Sequence, residues 1–286
     1  MKENNKRTII KNKCFDEERA LYNLKDADVV DCIFAGPADG ESVLKETENI
    51  NVLDCKFSLR YPLWHVNSFV VKDSVMDEKT RAALWYCRNG IVCNTKINGI
   101  KAVRECSQLT ISDCKIDSQE FGWKSSNITM TDSDINSEYL FLDSNNISLE
   151  NIKMSGKYSF QYINGLEIKD SVLDTKDAFW HSKNVTVKNS IVKGEYLGWF
   201  SEGLTLINCR ITGTQPFCYC RNLKLVDCTM EGCDLAFEYS EVDADVIGHI
   251  DSIKNPLSGI IRADSVGKQI FDDAVRKCSG KIILKQ

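Results

Sequence analysis

No stretch of this 286-residue chain approaches the ~20 consecutive apolar residues that a membrane-spanning helix needs. The opening, MKENNKRTIIKNKCF, lacks the apolar core of a secretory leader. Basic residues number 36 against 41 acidic, a formal net charge of −5, so the basic stripe expected of a nucleic-acid binder is missing. The three histidines, His65, His181 and His249, are too scattered for a zinc triad. Also missing are a P-loop, a GxGxxG loop and a GxSxG nucleophile elbow. These absences predict a cytoplasmic chain with no cofactor, no metal, no nucleic-acid partner and no membrane partner. The thirteen cysteines, odd in number and without a leader, read as reduced thiols. Oligomeric state is left open.

What is present is a period. From Leu109 an aliphatic residue recurs every 19 positions, at Ile128, Ile147, Leu166, Val185, Leu204, Leu223 and Val242. A second apolar residue follows two positions later, as in Ile111, Met130 and Leu149. Asp or Asn follows at four positions, as in Asp113, Asp132 and Asn151, and a third apolar residue at seven. Asn usually precedes the anchor, with Gly165 and Gly203 as substitutes. A sustained period of this length means stacked units, none able to bury its apolar face alone. The apolar/polar alternation marks a strand, and Asp or Asn then turns the chain because it tolerates the left-handed region. Helical repeats need longer units and i, i+3, i+4 spacing, and the LxxLxL frame of leucine-rich repeats is absent. The unit is therefore one coil of a parallel β-helix, right-handed by the usual chirality of parallel crossovers.

Reading back from Leu109, the anchors become Gly90, Phe69, Ile50 and Ala27, with insertions near Met76–Arg81 and at Gly36–Gly40. This gives an all-β, single-domain solenoid over residues 1–286. Residues 1–17 form a lead-in with Thr8-Ile9-Ile10 as a possible first strand, 18–246 form about 12 coils of ~19 residues, and 247–286 form a cap. In that cap, 250–258 reads as a loop and Ile260-Ile261 as a last strand. Val266, Ile270, Ala274, Val275 and Cys278 fall on one face of a helix starting at Ser265 and stopping at Gly280. Cys114, Cys209 and Cys228 alternate with Ser133, Ser171 and Ser190 in a column that wants a small side chain, so they read as packing residues.

Two adjacent columns depart from plain scaffold. One contains Tyr22, Lys45, Trp64, Trp85, Arg104, Trp123, Leu142, Gln161, Trp180, Trp199 and Cys218, and holds all five tryptophans. The next contains Asn23, Glu46, His65, Tyr86, Glu105, Lys124, Asp143, Tyr162, His181, Phe200 and Tyr219. The second mixes both charge signs and should face water, so alternation would turn the first inward. Lys45, Arg104 and Gln161 argue against that unless parity breaks at a corner. The tryptophans thus admit two readings. They fill a corner of the core, with Arg104 sandwiched between Trp85 and Trp123, or they line an aromatic and charged groove for an extended sugar polymer. Charge concentrates in the N-terminal half, making Arg19, Glu46, Trp64, His65, Arg81, Trp85, Tyr86, Glu105, Trp123 and Lys124 the candidate ligand-binding residues.

The succession ERALY (18–22), GESVLKE (40–46), RYPLWH (60–65), ALWYC (83–87) and SIKNPLSG (252–259) resembles a bacterial family of unknown function assigned to the pectin-lyase-like right-handed β-helix superfamily. The resemblance spans nearly the whole chain and implies fold rather than activity. Hydrolases of that superfamily carry NTD, paired-Asp and GHG motifs on successive coils. Here Asp272-Asp273 falls in the expected cap helix, and Gly248-His249 has no second glycine. A lyase needs only a base such as Arg or Lys beside acid-binding residues, often calcium-assisted, and Glu41, Lys45, Arg60 and Arg104 are the candidates for such chemistry. The leading expectation is a β-helix binding an oligosaccharide or similar extended ligand. A lyase or hydrolase on an intracellular oligosaccharide and a protein-binding scaffold are the alternatives.

Overall fold

The computed structural model describes residues 7–271 and 273–285. The chain divides into two compact units, Met1–Ser137 and Glu138–Gln286. The aliphatic alternation builds the same main strand in both. In the first unit these strands are Thr8–Lys11, Lys25–Val30, Glu48–Leu53, Asn67–Lys72, Arg88–Cys93, Ser107–Ser112 and Ser126–Glu138. In the second they are Asn145–Lys157, Asn164–Lys169, Lys183–Lys188, Glu202–Ile207, Leu223–Thr229, Glu241–Ile247, Ser258–Ala263 and Lys281–Leu284. Each pairs in parallel with the next within its unit, and the anchors fall in register: Ile50 faces Phe69, Gly90 faces Leu109, and Leu109 faces Ile128. Likewise Ile147, Leu166, Val185 and Leu204 face one another rung by rung.

Fifteen rungs result, rather than about 12. One extra rung is Thr8–Lys11, which pairs with Lys25–Val30 from Thr8 opposite Ala27, so the coils begin inside the expected lead-in. Two more lie in the expected cap. Its loop and helix are both corrected: His249–Lys254 and Ser265–Ile270 are strands that pair in parallel, and no helix occurs among the described residues. Val266 and Ile270 prefer strand, Gly267 weakens a helix, and a neighbouring rung offers open backbone groups to bond. The supposed apolar helix face is not packed, since Val275 is 88% exposed. Asp272 of the Asp272-Asp273 pair lies outside the described residues, as do 1–6 of the lead-in. The period fails after Val242 for a local reason. The register slips between Leu225 and Cys228, so Cys228 faces Val246 and the coil is one residue short.

The core is a set of columns. Val52, Val71, Val92 and Ile111 run through the first unit, and Leu149, Ile168, Val187 and Leu206 through the second, all 0–1% exposed. Phe15, Phe34 and Phe57 stack at 5.4 and 4.6 Å, offset-ring contacts that add to area burial. Every turn Asp or Asn, from Asp31 (φ 51°) through Asp113 (φ 54°) to Asp227 (φ 51°), occupies the left-handed region. The column after it answers a hydrogen-bond need. The backbone N–H of Cys114 donates to Ser133 Oγ at 3.0 Å, and that of Ser171 to Ser190 Oγ at 3.1 Å. The hydroxyls in turn donate to a carbonyl two residues back, as Ser133 does to Thr131 at 2.7 Å.

Candidate functional site

In the first unit, Leu63–Trp64, Leu84–Trp85 and Val103–Arg104 are short strands that pair in register, and a further bridge joins Arg104 to Trp123. Leu63, Leu84 and Val103 are fully buried, which turns Trp64, Trp85 and Arg104 outward, half-exposed. The reading of the tryptophans as filling the core is therefore corrected. The next residue on each rung, Glu46, His65, Tyr86, Glu105 or Lys124, sits at φ between 51° and 59°. A left-handed residue breaks the two-residue alternation, so it too points to water. That is the broken parity that lets both columns face out.

Along the outer column the side chains form a ladder. Lys45 Nζ lies 4.2 Å from the Trp64 ring centroid, Trp64 stacks on Trp85 at 5.3 Å and 9°, and Arg104 sits 5.9 Å from Trp85 and 5.6 Å from Trp123. The expected Arg104 sandwich is present, on the surface. Each cation–ring contact at such a half-exposed site contributes about 0.5–1 kcal/mol. In the second column His65 packs on Tyr86 at 4.9 Å, and Arg104 Nε reaches Glu105 Oε1 at 3.4 Å. The neighbouring Glu105 carboxylate pushes the Tyr86 phenol above its ordinary pKa. Because the rings stack along the ladder, their faces meet neighbours and only part of each half-exposed edge reaches solvent.

Two donors are left over. Trp64 Nε1 and Trp85 Nε1 are buried and have no acceptor, and the Tyr61 ring lies tilted against both indoles at 6.2 and 5.8 Å. The second unit handles the same column differently. Trp180 Nε1 donates to the Tyr196 carbonyl at 2.6 Å and Trp199 Nε1 to that of Gln215 at 2.8 Å.

The four residues singled out for chemistry do not converge on one point. Glu41 and Arg60 lie on neighbouring rungs, 3.6 Å apart, with Asp39 at 3.1 Å from the same guanidinium. Arg81 stands exposed one rung further, and Arg19, one rung before Glu41, pairs with Glu18 at 3.1 Å. Lys45 and Arg104 belong to the ladder instead, separated by two indole rings. Among the described residues no group of three or more His, Cys, Asp or Glu side chains is arranged to hold a metal ion.

The sequence reading stopped short in the second unit. There Tyr162, His181, Phe200 and Tyr219 stack at 4.9–5.0 Å on successive rungs, and the stack continues to Tyr239 at 5.7 Å. Tyr239 lies 20 residues after Tyr219, one step out of the 19-residue phase, which would select Glu238 instead.

Among solved structures, the A-module of the mannuronan C-5 epimerase AlgE6 of Azotobacter vinelandii is 11% identical, with 97% of this chain and 89% of that one covered and a TM-score of 0.34. The Streptococcus pneumoniae surface protein and adhesin PfbA is 8% identical over 97% and 91%, with a TM-score of 0.35. The catalytic domain of a GH87 alpha-1,3-glucanase is 11% identical over 97% and 63%, with a TM-score of 0.28. No curated protein matches the sequence. Residues 8–283 match the family described as "Protein of unknown function (DUF3737)", and the chain belongs to that family.

Proposed function

We propose that the outward wall of the first unit binds an extended oligosaccharide. The observation that carries this reading is the pair of buried, unpartnered indole N–H groups of Trp64 and Trp85 beneath Tyr61. An unsatisfied buried donor costs about 1–3 kcal/mol, a penalty the second unit avoids at Trp180 and Trp199. Sugar hydroxyl oxygens are acceptors, and stacked rungs lie ~4.8 Å apart, close to the length of one sugar residue. With Tyr61 turned outward, two successive residues of a polymer each take one indole proton. Glu46, Glu105 and Tyr86 then accept from hydroxyls, and His65 and Lys124 donate. Sugar rings meet indole edges here, so hydrogen bonds rather than ring-face stacking carry recognition.

The corner column supports the same reading. A left-handed L-residue costs roughly 1–2 kcal/mol, and this corner places Glu, His, Tyr and Lys there, types that bring charged and hydrogen-bonding groups to the wall. The reading places the protein in the cytoplasm, where the free thiols of its buried columns stay reduced.

Calorimetric titration with a panel of neutral and acidic oligosaccharides, read alongside tryptophan emission, tests the proposal. At least one member should release heat and shift the emission. Trp64→Phe and Trp85→Phe, which keep a ring and delete the donor, should each weaken it about tenfold. No heat from any member with emission unmoved would sink the idea.

A further inference from the structure

The second unit holds a cavity of about 300 Å³ where the stack of Phe200, Tyr219 and Tyr239 ends. Arg221, Glu241 and Arg276 complete its charged lining. The segment that brings Arg276 there is tied down at several points. The N–H of Val275 donates to the Tyr239 hydroxyl at 3.0 Å, and the Arg276 guanidinium lies 5.3 Å from the Tyr239 ring centroid. Asp273 accepts from Asn255 Nδ2 at 2.6 Å and pairs with Lys254 at 3.0 Å, and Cys278 Sγ donates to the Asn255 carbonyl at 3.3 Å.

Those ties also settle the charge of the cavity. The neighbouring carboxylates Glu238 and Asp273 are both taken by Lys254, at 3.1 and 3.0 Å. Among the described residues neither Arg221 nor Arg276 pairs with a carboxylate. Two guanidiniums without a carboxylate partner among the described residues, at one concave site, offer flat, forked donor sets matched to a carboxylate or phosphate. Glu241 on the same lining accepts hydroxyl donors and disfavours ligands that are anionic throughout. The volume suits one sugar-sized molecule.

We infer that this cavity binds a hydroxylated oxyanion of monosaccharide size, the anionic group held by Arg221 and Arg276 and a hydroxyl held by Glu241. The shared chemistry is the oxyanion, borne by a sugar acid or by a sugar phosphate. The site uses none of the residues of the first-unit wall and stands independently of it.

Saturation-transfer NMR on the full chain, with glucuronate, glucose 6-phosphate, glucose and inorganic phosphate as probes, tests this directly. One of the two anionic sugars should bind saturably, identifying whether carboxylate or phosphate is the source, and glucose should not. Arg221→Ala and Arg276→Ala should each weaken that binding at least about tenfold, the corresponding Lys variants less. Trp64→Phe with Trp85→Phe should leave it unchanged. Glucose binding as well as its anionic relatives, inorganic phosphate binding as tightly as both, indifference to loss of both arginines, or no binding by either anionic sugar at millimolar concentration would each overturn the inference. A thermal melt of each variant separates loss of the site from loss of the fold.

Discussion

A Cβ added at position 90 would lie 2.1 Å from the nearest carbon of the Phe69 ring. Phe69 and Gly90 are rung partners in the anchor column, whose other members from Ala27 to Val242 are aliphatic or alanine. The glycine is there because the ring beneath it has taken the space of two side chains. Overpacking a filled core typically costs about 1–3 kcal/mol. Gly90→Ala should therefore lower stability by about that much in a urea titration. Phe69→Leu should lower stability on its own, yet recover part of the loss when combined with Gly90→Ala. Strictly additive losses would show that the two positions do not share a volume. Neither residue looks like an aliphatic anchor. The sequence revealed the phase only through the Asp and Asn that follow each anchor, Asp73 and Asn94.

The coil turns where a left-handed residue is tolerated, and that explains what was legible. The Asp or Asn four residues after each anchor, and the Asn or Gly that usually precedes the anchor, announce two corners of the coil by residue type. A further corner is made by Glu46, His65, Tyr86, Glu105 and Lys124, whose types carry no turn signal. The outward direction of Trp64 and Trp85 could not be read because it depends on that hidden corner. The small-residue column was read correctly as packing, but its reason, accepting a backbone N–H left over at the turn, needs the neighbouring rung. That column also fixes thiol chemistry. Burial pushes Cys55 up to about 12 and Cys114 up to about 11, and Cys220 in the column behind the tryptophans up to about 11. Because the thiolate is the nucleophile and these values lie well above 8, iodoacetamide at pH 8 should modify the exposed Cys14 and spare Cys55, Cys114 and Cys220 in the native protein. Peptide mass mapping reads the outcome, and early labelling of any of the three would show that the column opens in the folded state.

At the scale of the whole molecule, each rung is stabilised by its neighbours in the stack, so stability varies along the chain rather than being shared evenly. The strand Lys281–Leu284 shows what a rung with one described partner relies on. Among the described residues it pairs with Ser258–Ala263 alone, and Ile283 and Leu284 are about half exposed. Lys285 then fastens it, through an ion pair with Asp245 and a 3.0 Å bond to the Val246 carbonyl two rungs back. The expected cap helix failed for the same reason. Pairing another strand onto an open edge satisfies more backbone groups than a short helix with a single weak apolar face. Hydrogen exchange followed by mass spectrometry should find peptides from Lys183–Lys188, paired on both sides, exchanging far more slowly than those from Lys281–Leu284. Lys285→Ala should speed exchange in the last strand while leaving Lys183–Lys188 unchanged. Equal rates across all rungs, or an effect of Lys285→Ala that spreads evenly through the second unit, would mean that the rungs open together and that neighbour-by-neighbour stability is the wrong description.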